Sequence, residues 1–373
     1  MNRSISIIKK HLRTTGYKNI QYIPSRRTEF IGSEFYVLCS FLFKNNISIF
    51  NSTIFYPFYL HTLKFFNPKL YTLYRAVFRC DTLSRNVLLS VFNKEEIDIF
   101  MQDNLLSCVS SCYRFKFRLV PIEDLLIVSS PPENIKLPGY VHVGYDSFSL
   151  WKLIKKEFKA EKIQDVLEIG CGAGFLSLWI SRFAKSITAT DISRNAIDLA
   201  NLNVKINRID NITTLTSDVY SNVNGKYDII ISNPPFEFLP SNDKKLLHSY
   251  GGQLGIEITM KILSGLEKHL KEQGTTYILA NSYIEKSGCN TLIHEIEKLF
   301  KGTGFDITMR EFTYQLRPDL LGFYKKHDIS HSISYLIQIK RTGNFNLKVI
   351  PLHGFSRLKE NLRLKMLPLS AKT

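Results

Sequence analysis

The 373 residues are enough for two domains. A composition 44% hydrophobic and 22% charged excludes an intrinsically disordered chain. The 49 Lys and Arg against 33 Asp and Glu, a formal net charge of +16, suit an anionic partner, nucleic acid first, although a lysine-rich AT-biased genome would leave the same surplus.

Residues 1–30 carry seven Lys or Arg against one Glu, and residues 340–373 carry eight against one. Cys39, Cys80, Cys108, Cys112, Cys171 and Cys289 lack zinc-ligand spacing, which points to free thiols in a reducing compartment. The aromatic run Phe35–Phe43 is too short to span a bilayer and stops at Lys44, and no leader peptide is legible. A soluble cytoplasmic protein without a membrane partner is expected.

In chain order, a helix is predicted near 5–14. An apolar, aromatic stretch over 31–78 is punctuated at Tyr56-Pro57 and Asn67-Pro68, so short helices are expected there. Asp81 is the predicted cap of a helix reaching Phe92, and Asn93 that of a helix over 94–101. Residues 113–120 alternate apolar and basic, predicting a strand with Arg114, Lys116 and Arg118 on one wet face. Pro121–Asp124 reads as a turn and Leu125–Val128 as the returning strand. Residues 1–130 are thus an expected α+β accessory domain for substrate recognition, winged-helix-like in outline. Ser129–Glu133 reads as a linker. A helix over about 147–159 would cover a ligand pocket, with Tyr145 and Ser147 near the ligand.

From Asp165 onward strand and helix alternate. Strands are predicted at 165–169, 187–191, 212–216, 227–232 and 275–281, and helices at 174–184, 193–207, 255–272 and 288–302. Such alternation builds right-handed βαβ units and a parallel sheet covered on both faces. Two last strands, near 305–313 and 333–340, read as an antiparallel hairpin. The expected fold is α/β, a doubly wound, mostly parallel, seven-stranded Rossmann-like sheet over 131–343, followed by a basic extension over 344–373.

The chemistry gathers where these strands end, because ligands of open α/β sheets bind at carboxyl ends. The first strand runs into Glu168-Ile-Gly-Cys-Gly-Ala-Gly174, where Gly170, Gly172 and Gly174 let backbone approach a ligand and a helix start offers free N–H groups. A dinucleotide turn reads G-x-G-x-x-G. Here the spacing is E-x-G-x-G-x-G, and a carboxylate at Glu168 suits a cationic ligand, which favours S-adenosylmethionine over NAD. Asp191, at the end of the second strand, can accept both hydroxyls of a ribose, with Ile192 beside it. Asp218, followed by Val219 after the third strand, can accept from an adenine amino group. Singly, Asp191 could cap a helix and Asp218 a turn; together they mark successive strand ends.

The fourth strand ends in Asn233-Pro234-Pro235-Phe236. Two prolines fix an extended turn and remove two N–H donors. The Asn233 side-chain oxygen and the Pro234 carbonyl then form an acceptor pair for an –NH₂ group, and Phe236 offers a flat face for stacking. Positioning of a weakly nucleophilic nitrogen needs no strong base. His248, in the following loop, is a further candidate for substrate contact.

Residues 140–285 resemble the class I S-adenosylmethionine-dependent methyltransferases of the Asn-Pro-Pro-aromatic group, which includes HemK-like protein-glutamine, RsmC-like rRNA guanine and adenine-N6 methyltransferases. The matching residues are Glu168–Gly174 with Cys171, Asp191-Ile192, Asp218-Val219 and Asn233–Phe236. Tyr250-Gly-Gly-Gln-Leu-Gly255 resembles the loop that follows in the HemK-like branch. The resemblance implies contacts to the methionine moiety, ribose, adenine and target nitrogen in that order. Phe236 stands where the group often has Tyr, and the basic C-terminus is another departure. An RNA base or a protein glutamine is the expected acceptor; N-methylation of a small molecule, or a non-catalytic RNA-binding role, remain alternatives.

Overall fold

The computed structural model describes residues 2–15, 64–131, 139–155, 157–158, 163–236, 250–315 and 321–352. The chain divides into two compact units, one made of Met1–Ser149, Gly172–Arg182 and Ser193–Ile212, the other of Leu150–Cys171, Phe183–Ile192 and Thr213–Thr373.

In the first unit, α1 (Asn2–Thr14) and α2 (Pro68–Leu73, continued by a π-helical turn over Tyr74–Phe78) precede β1 (Leu83–Ser84), α3 (Arg85–Leu89) and α4 (Lys94–Gln102). The strands β2 (Leu106–Val109), β3 (Cys112–Phe115), β4 (Arg118–Ile122) and β5 (Leu125–Ser129) follow. They form two antiparallel sheets, β1-β3-β2 and β4-β5. The Asn93 cap is present and reciprocal: Glu96 N–H donates to Asn93 Oδ1 at 2.8 Å, and Asn93 N–H to Glu96 Oε2 at 2.9 Å. Asp81 caps no helix, because its carboxylate is taken by Arg75 at 2.6 Å and Arg79 at 3.1 Å; the helix begins after Ser84 instead.

The basic strand face predicted over 113–120 does not form. The chain leaves one sheet after Phe115 and enters another at Arg118. Arg114 Nε donates to the Cys80 carbonyl at 2.8 Å, and Lys116 donates to Asn104. Arg118 is buried, its guanidinium 4.1 Å from the Phe78 ring centroid, where the planar cation exchanges water for an aromatic face. The hairpin turns at Glu123-Asp124, Glu123 having φ +52°, while Pro121 lies within β4 opposite Leu126.

The helix α5 (Tyr145–Ile154) is shorter than expected, and α6 (Phe175–Ile180) and α7 (Arg194–Asn207) return to the first unit. Asn203 and Asn207 of α7 work as strand partners for β5. Asn203 accepts from Val128 N–H at 2.7 Å and donates to its carbonyl at 2.9 Å; Asn207 does the same at Leu126 with 3.0 and 2.9 Å. One turn of helix thereby matches a two-residue step of strand.

The second unit is built on β6 (Ile163–Ile169), β7 (Ala184–Asp191), β8 (Ile212–Thr216) and β9 (Tyr227–Ser232). It continues through α8 (Glu257–Ser264), α9 (Leu266–His269), β10 (Leu270–Glu285), α10 (Thr291–Phe300), β11 (Phe305–Gln315), α11 (Leu321–Lys326), β12 (Ile329–Arg341) and β13 (Asn346–Ile350). One sheet of order β13-β11-β12-β10-β9-β6-β7-β8 results. Its pairs β10-β9, β9-β6 and β6-β7 are parallel, and β12 runs antiparallel between β10 and β11, as the expected hairpin. The sheet has eight strands rather than seven because residues 346–350, read as part of the basic extension, pair along β11. Leu167, Ile169, Ile230 and Ile278 of the sheet pack with Leu263, Leu266, Ile296 and Phe300 of the helices in the core of this unit. Among the described residues no helix is long and apolar enough to cross a membrane.

At the amino ends of the central strands β6, β9 and β10, Lys271 Nζ lies 2.7 Å from Asp165 Oδ2 and 3.0 Å from Asp228 Oδ2. The Lys271 ammonium, then the Ser186 hydroxyl, hold the Asp165 carboxyl below its usual range. A carboxyl depressed on folding stabilises above its unfolded value near about 3.9 and loses that contribution as pH falls through the lower folded value. The pair is partly exposed, so Lys271→Met should cost about 1 kcal/mol or less at pH 7. Urea midpoints should show the gap to wild type closing below about pH 3.

Candidate active site at the carboxyl ends of the strands

The site is set by register. Glu168 is level with Ala189 on β7 and Ile231 on β9, and Ile169 with Thr190 and Ser232. The next residue of each chain is Gly170, Asp191 and Asn233, so these three leave the sheet from one row of adjacent parallel strands. At the usual strand spacing, Asp191 and Asn233 emerge about 10 Å apart, on either side of the glycine turn. The exits are tied together. Cys171 N–H donates to the Thr190 carbonyl at 2.8 Å, and Thr190 Oγ1 to the Glu168 carbonyl at 3.1 Å. Ser232 Oγ donates to the Ile169 carbonyl at 2.7 Å, and Ser217 N–H to the Asp191 carbonyl at 2.9 Å. The last bond brings the loop after β8 to the same edge.

Gly170 has φ +72° and nothing within 4 Å of where a Cβ would stand, so the backbone there borders open space. Gly172 (φ +53°) and Gly174 (φ +77°) continue the left-handed turn into α6, and a Cβ on Gly174 would lie 3.3 Å from Ala200 Cβ. Glu168 is only 3% exposed. Burial pushes the Cys171 thiol well above its ordinary value, and the negative charges of Glu168 and then Asp191 push it the same way. The thiol therefore stays protonated, and the turn sits in negative potential.

Beyond β8, Ser217 Oγ donates to the Val219 carbonyl at 3.0 Å, and Asp218 N–H to Ser221 Oγ at 3.1 Å. Asp218 is exposed. Val219 has φ +49°, a conformation costing a β-branched residue about 1–3 kcal/mol, which its surroundings must enforce. Ile192 is 55% exposed beside Asp191, although it is a large apolar side chain. Tyr145 opens α5 and Ser147 lies half-buried in its first turn.

Asn233, Pro235 and Phe236 are half-buried and Pro234 is buried. The glycines of Tyr250–Gly255 explain themselves here. A Cβ on Gly251 would stand 2.6 Å from Phe236 Cα and 2.8 Å from the Pro235 carbonyl oxygen. One on Gly255, at φ +72°, would stand 2.3 Å from the Phe236 carbonyl oxygen. This loop lies directly on the Asn-Pro-Pro-Phe backbone, and only glycine permits the contact. His248 lies outside the described residues.

The expected helix over 255–272 ends early, for a reason bearing on the site. Gly265 interrupts it where a Cβ would be 2.3 Å from the Tyr220 ring. Tyr220 stacks on His269, centroids 4.4 Å and planes 2° apart, and its hydroxyl donates to the Ile262 carbonyl at 2.9 Å. This anchors the loop that bears Asp218 and Val219. A lone glycine inside a helical pattern was the available signal for it.

A family model described as "Methyltransferase small domain" matches residues 150–309. A Methanocaldococcus jannaschii protein named "Putative protein N5-glutamine methyltransferase" is 37% identical over 168 residues, which span 43% of this chain and 83% of that one. The chain belongs to the methyltransferase small domain family. An Erwinia tasmaniensis protein named ribosomal RNA small subunit methyltransferase C is 31% identical over 151 residues, and there this methyltransferase chain spans 40% of the relative's length. Among solved structures, the ribosomal protein L11 methylase of Lactobacillus delbrueckii subsp. bulgaricus matches with a TM-score of 0.36 at 21% identity, over 54% of this chain and 81% of that one. The family and the α/β sheet agree with the resemblance read from the motifs.

Proposed function

We propose that this methyltransferase uses S-adenosylmethionine to methylate a planar amino nitrogen of a macromolecule, with an RNA base as acceptor. The observation that carries the reading is the row Gly170, Asp191 and Asn233, three exits at one level of adjacent strands. The residues fit the cofactor. The open space over Gly170 accepts a ligand against bare backbone, and the buried carboxylate of Glu168 with Asp191 suits a cation. Glu168 and the turn Gly170–Gly174 would hold the methionine moiety, Asp191 the ribose hydroxyls, and Asp218, Val219 and Ile192 the adenine. When bound, the cofactor supplies an electrophilic methyl group on a sulfonium.

The chain's own part is positioning. Asn233 Oδ1 and the Pro234 carbonyl accept the two amino hydrogens, which fixes the nitrogen's lone pair perpendicular to the acceptor plane. Phe236 stacks on that plane and excludes water. The surplus of basic residues supports RNA, which residues 1–130 would help to recognise. The 37% identity to a protein named for glutamine supports a protein acceptor as the second reading. Radiolabelled methyl transfer into lysate separates them: label lost to RNase supports RNA, label lost to protease supports protein, and label in neither digest identifies a small molecule.

The seat of the diproline turn gives a sharper test. Gly255→Ala must move the Phe236 carbonyl, and a shift of about 1 Å at a reacting group costs up to about 10²-fold. We expect kcat to fall more than tenfold while the cofactor's Kd, measured by calorimetry, changes less than threefold.

A further inference from the structure

The strand β10 outruns its neighbour. Its pairing with β9 ends with Ile278 opposite Ser232, where β9 gives way to Asn233-Pro-Pro-Phe236. From there β10 continues against β12 as far as Glu285. Residues 279–285 therefore pass alongside the diproline turn. Alternation decides which of their side chains face the site. Glu168 is level with Ile231, and Ile231 with Tyr277, so these three share a face. Leu279, Asn281 and Tyr283 follow on that face at period two. The position is fixed from the other side as well: the Cβ that would strike the Phe236 carbonyl oxygen from Gly255 is 3.5 Å from Tyr283 Cε2.

Asn281 is out of place for a strand. Asparagine is depleted in strands, and a buried carboxamide must place its donors somewhere. Asn281 is 6% exposed and sits opposite Ser334, which is 1% exposed. Ser334 Oγ donates to Asn281 Oδ1 at 3.2 Å, and among the described residues this is the only side-chain hydrogen bond of Asn281. It fixes the amide with its oxygen toward β12 and leaves the two Nδ2 hydrogens to donate elsewhere. Ser282, on the opposite face, shows the contrast: its hydroxyl donates at 2.7 Å to Asn290, the cap of α10, and accepts from Leu292 N–H at 3.4 Å, both at the start of that helix.

We infer that Asn281 is a specificity-determining residue for the acceptor, its Nδ2 donating to the ring nitrogen next to the amino-bearing carbon of an RNA base. The inference rests on the function proposed above. Every amino-bearing RNA base presents such a nitrogen, so one donor beside the Asn233 and Pro234 acceptors completes recognition of an amino edge. The donor does nothing for nucleophilicity. Pulling on the ring nitrogen draws the amino lone pair into the ring, so the benefit appears in acceptor binding and orientation, in KM rather than kcat.

The test uses the full chain with unmodified small-subunit ribosomal RNA and tRNA transcripts as probes. Asn281→Asp keeps the shape and replaces the donor with an acceptor; Asn281→Ser keeps a hydrogen-bonding group too short to reach. For both, thermal midpoint and S-adenosylmethionine Kd should match wild type, while KM for RNA rises about tenfold or more and kcat stays within threefold. The KM of Asn281→Asp should fall again toward wild type as pH is lowered, since a protonated carboxyl regains a donor, whereas Asn281→Ser should show no such recovery. An unchanged KM in both variants at pH 8 overturns the inference. So does a joint loss of thermal midpoint and cofactor affinity, which marks the residue as structural. Failure of wild type to label either RNA, or label found only in protein, overturns the RNA reading itself, a result distinct from both.

Discussion

Asn233→Ala should leave S-adenosylmethionine binding within about threefold of wild type and lower kcat by about 10²–10³-fold, the usual consequence of removing one preorganised group at a reacting centre. The separation of the two effects follows from the row of strand exits. Asn233 leaves β9, whereas the proposed cofactor contacts leave β6, β7 and β8. The turn does not depend on the asparagine side chain: two prolines fix its backbone, and the glycine loop lies against Pro235 and Phe236. What disappears is one of two acceptors for the amino hydrogens, so the nitrogen still enters but no longer holds its lone pair in line. Calorimetry of cofactor binding beside single-turnover methyl transfer checks this. Equal loss of both quantities would place Asn233 in the cofactor's own contacts.

The converse is expected of Asp191→Ala. Two charge-assisted hydrogen bonds to a ribose are worth about 1.5–3 kcal/mol each. Their removal should therefore weaken S-adenosylmethionine by about 10²–10⁴-fold. The tie to Ser217 survives the change, because it uses the Asp191 carbonyl, at 2.9 Å. A thermal midpoint in the absence of ligand within a few degrees of wild type, together with a greatly raised Kd, is the expected pair of results. An unchanged Kd would remove Asp191 from the site and with it the argument from the row.

Much of this was legible in the residues. The glycine turn after Glu168, the Asn93 cap and the strand-helix alternation from Asp165 are local patterns, and local geometry fulfils them. The errors arose where a local pattern met a distant partner. Asp81 reads as a helix cap, but Arg75 and Arg79 reach it first. The alternation of Arg114, Lys116 and Arg118 reads as a wet face, but the chain changes sheets between them and Arg118 finds the Phe78 ring. A strand at 275–281 was expected, yet β10 spans 270–285, because pairing with Tyr227 of β9 at its start and with β12 at its end, and not the apolar run, sets its length.

Which residues stand at the strand ends, and that two prolines and three glycines shape the turns there, can be read residue by residue, since steric limits on φ belong to each residue alone. Long-range pairing and packing bring Gly170, Asp191 and Asn233 out of the sheet at one level, lay the 250–255 loop on the diproline turn, and put Asn281 on the same side as Glu168. Register between strands separated by 20 to 60 residues is a property of non-local pairing, and a slip of one residue would have turned each of these side chains to the other face.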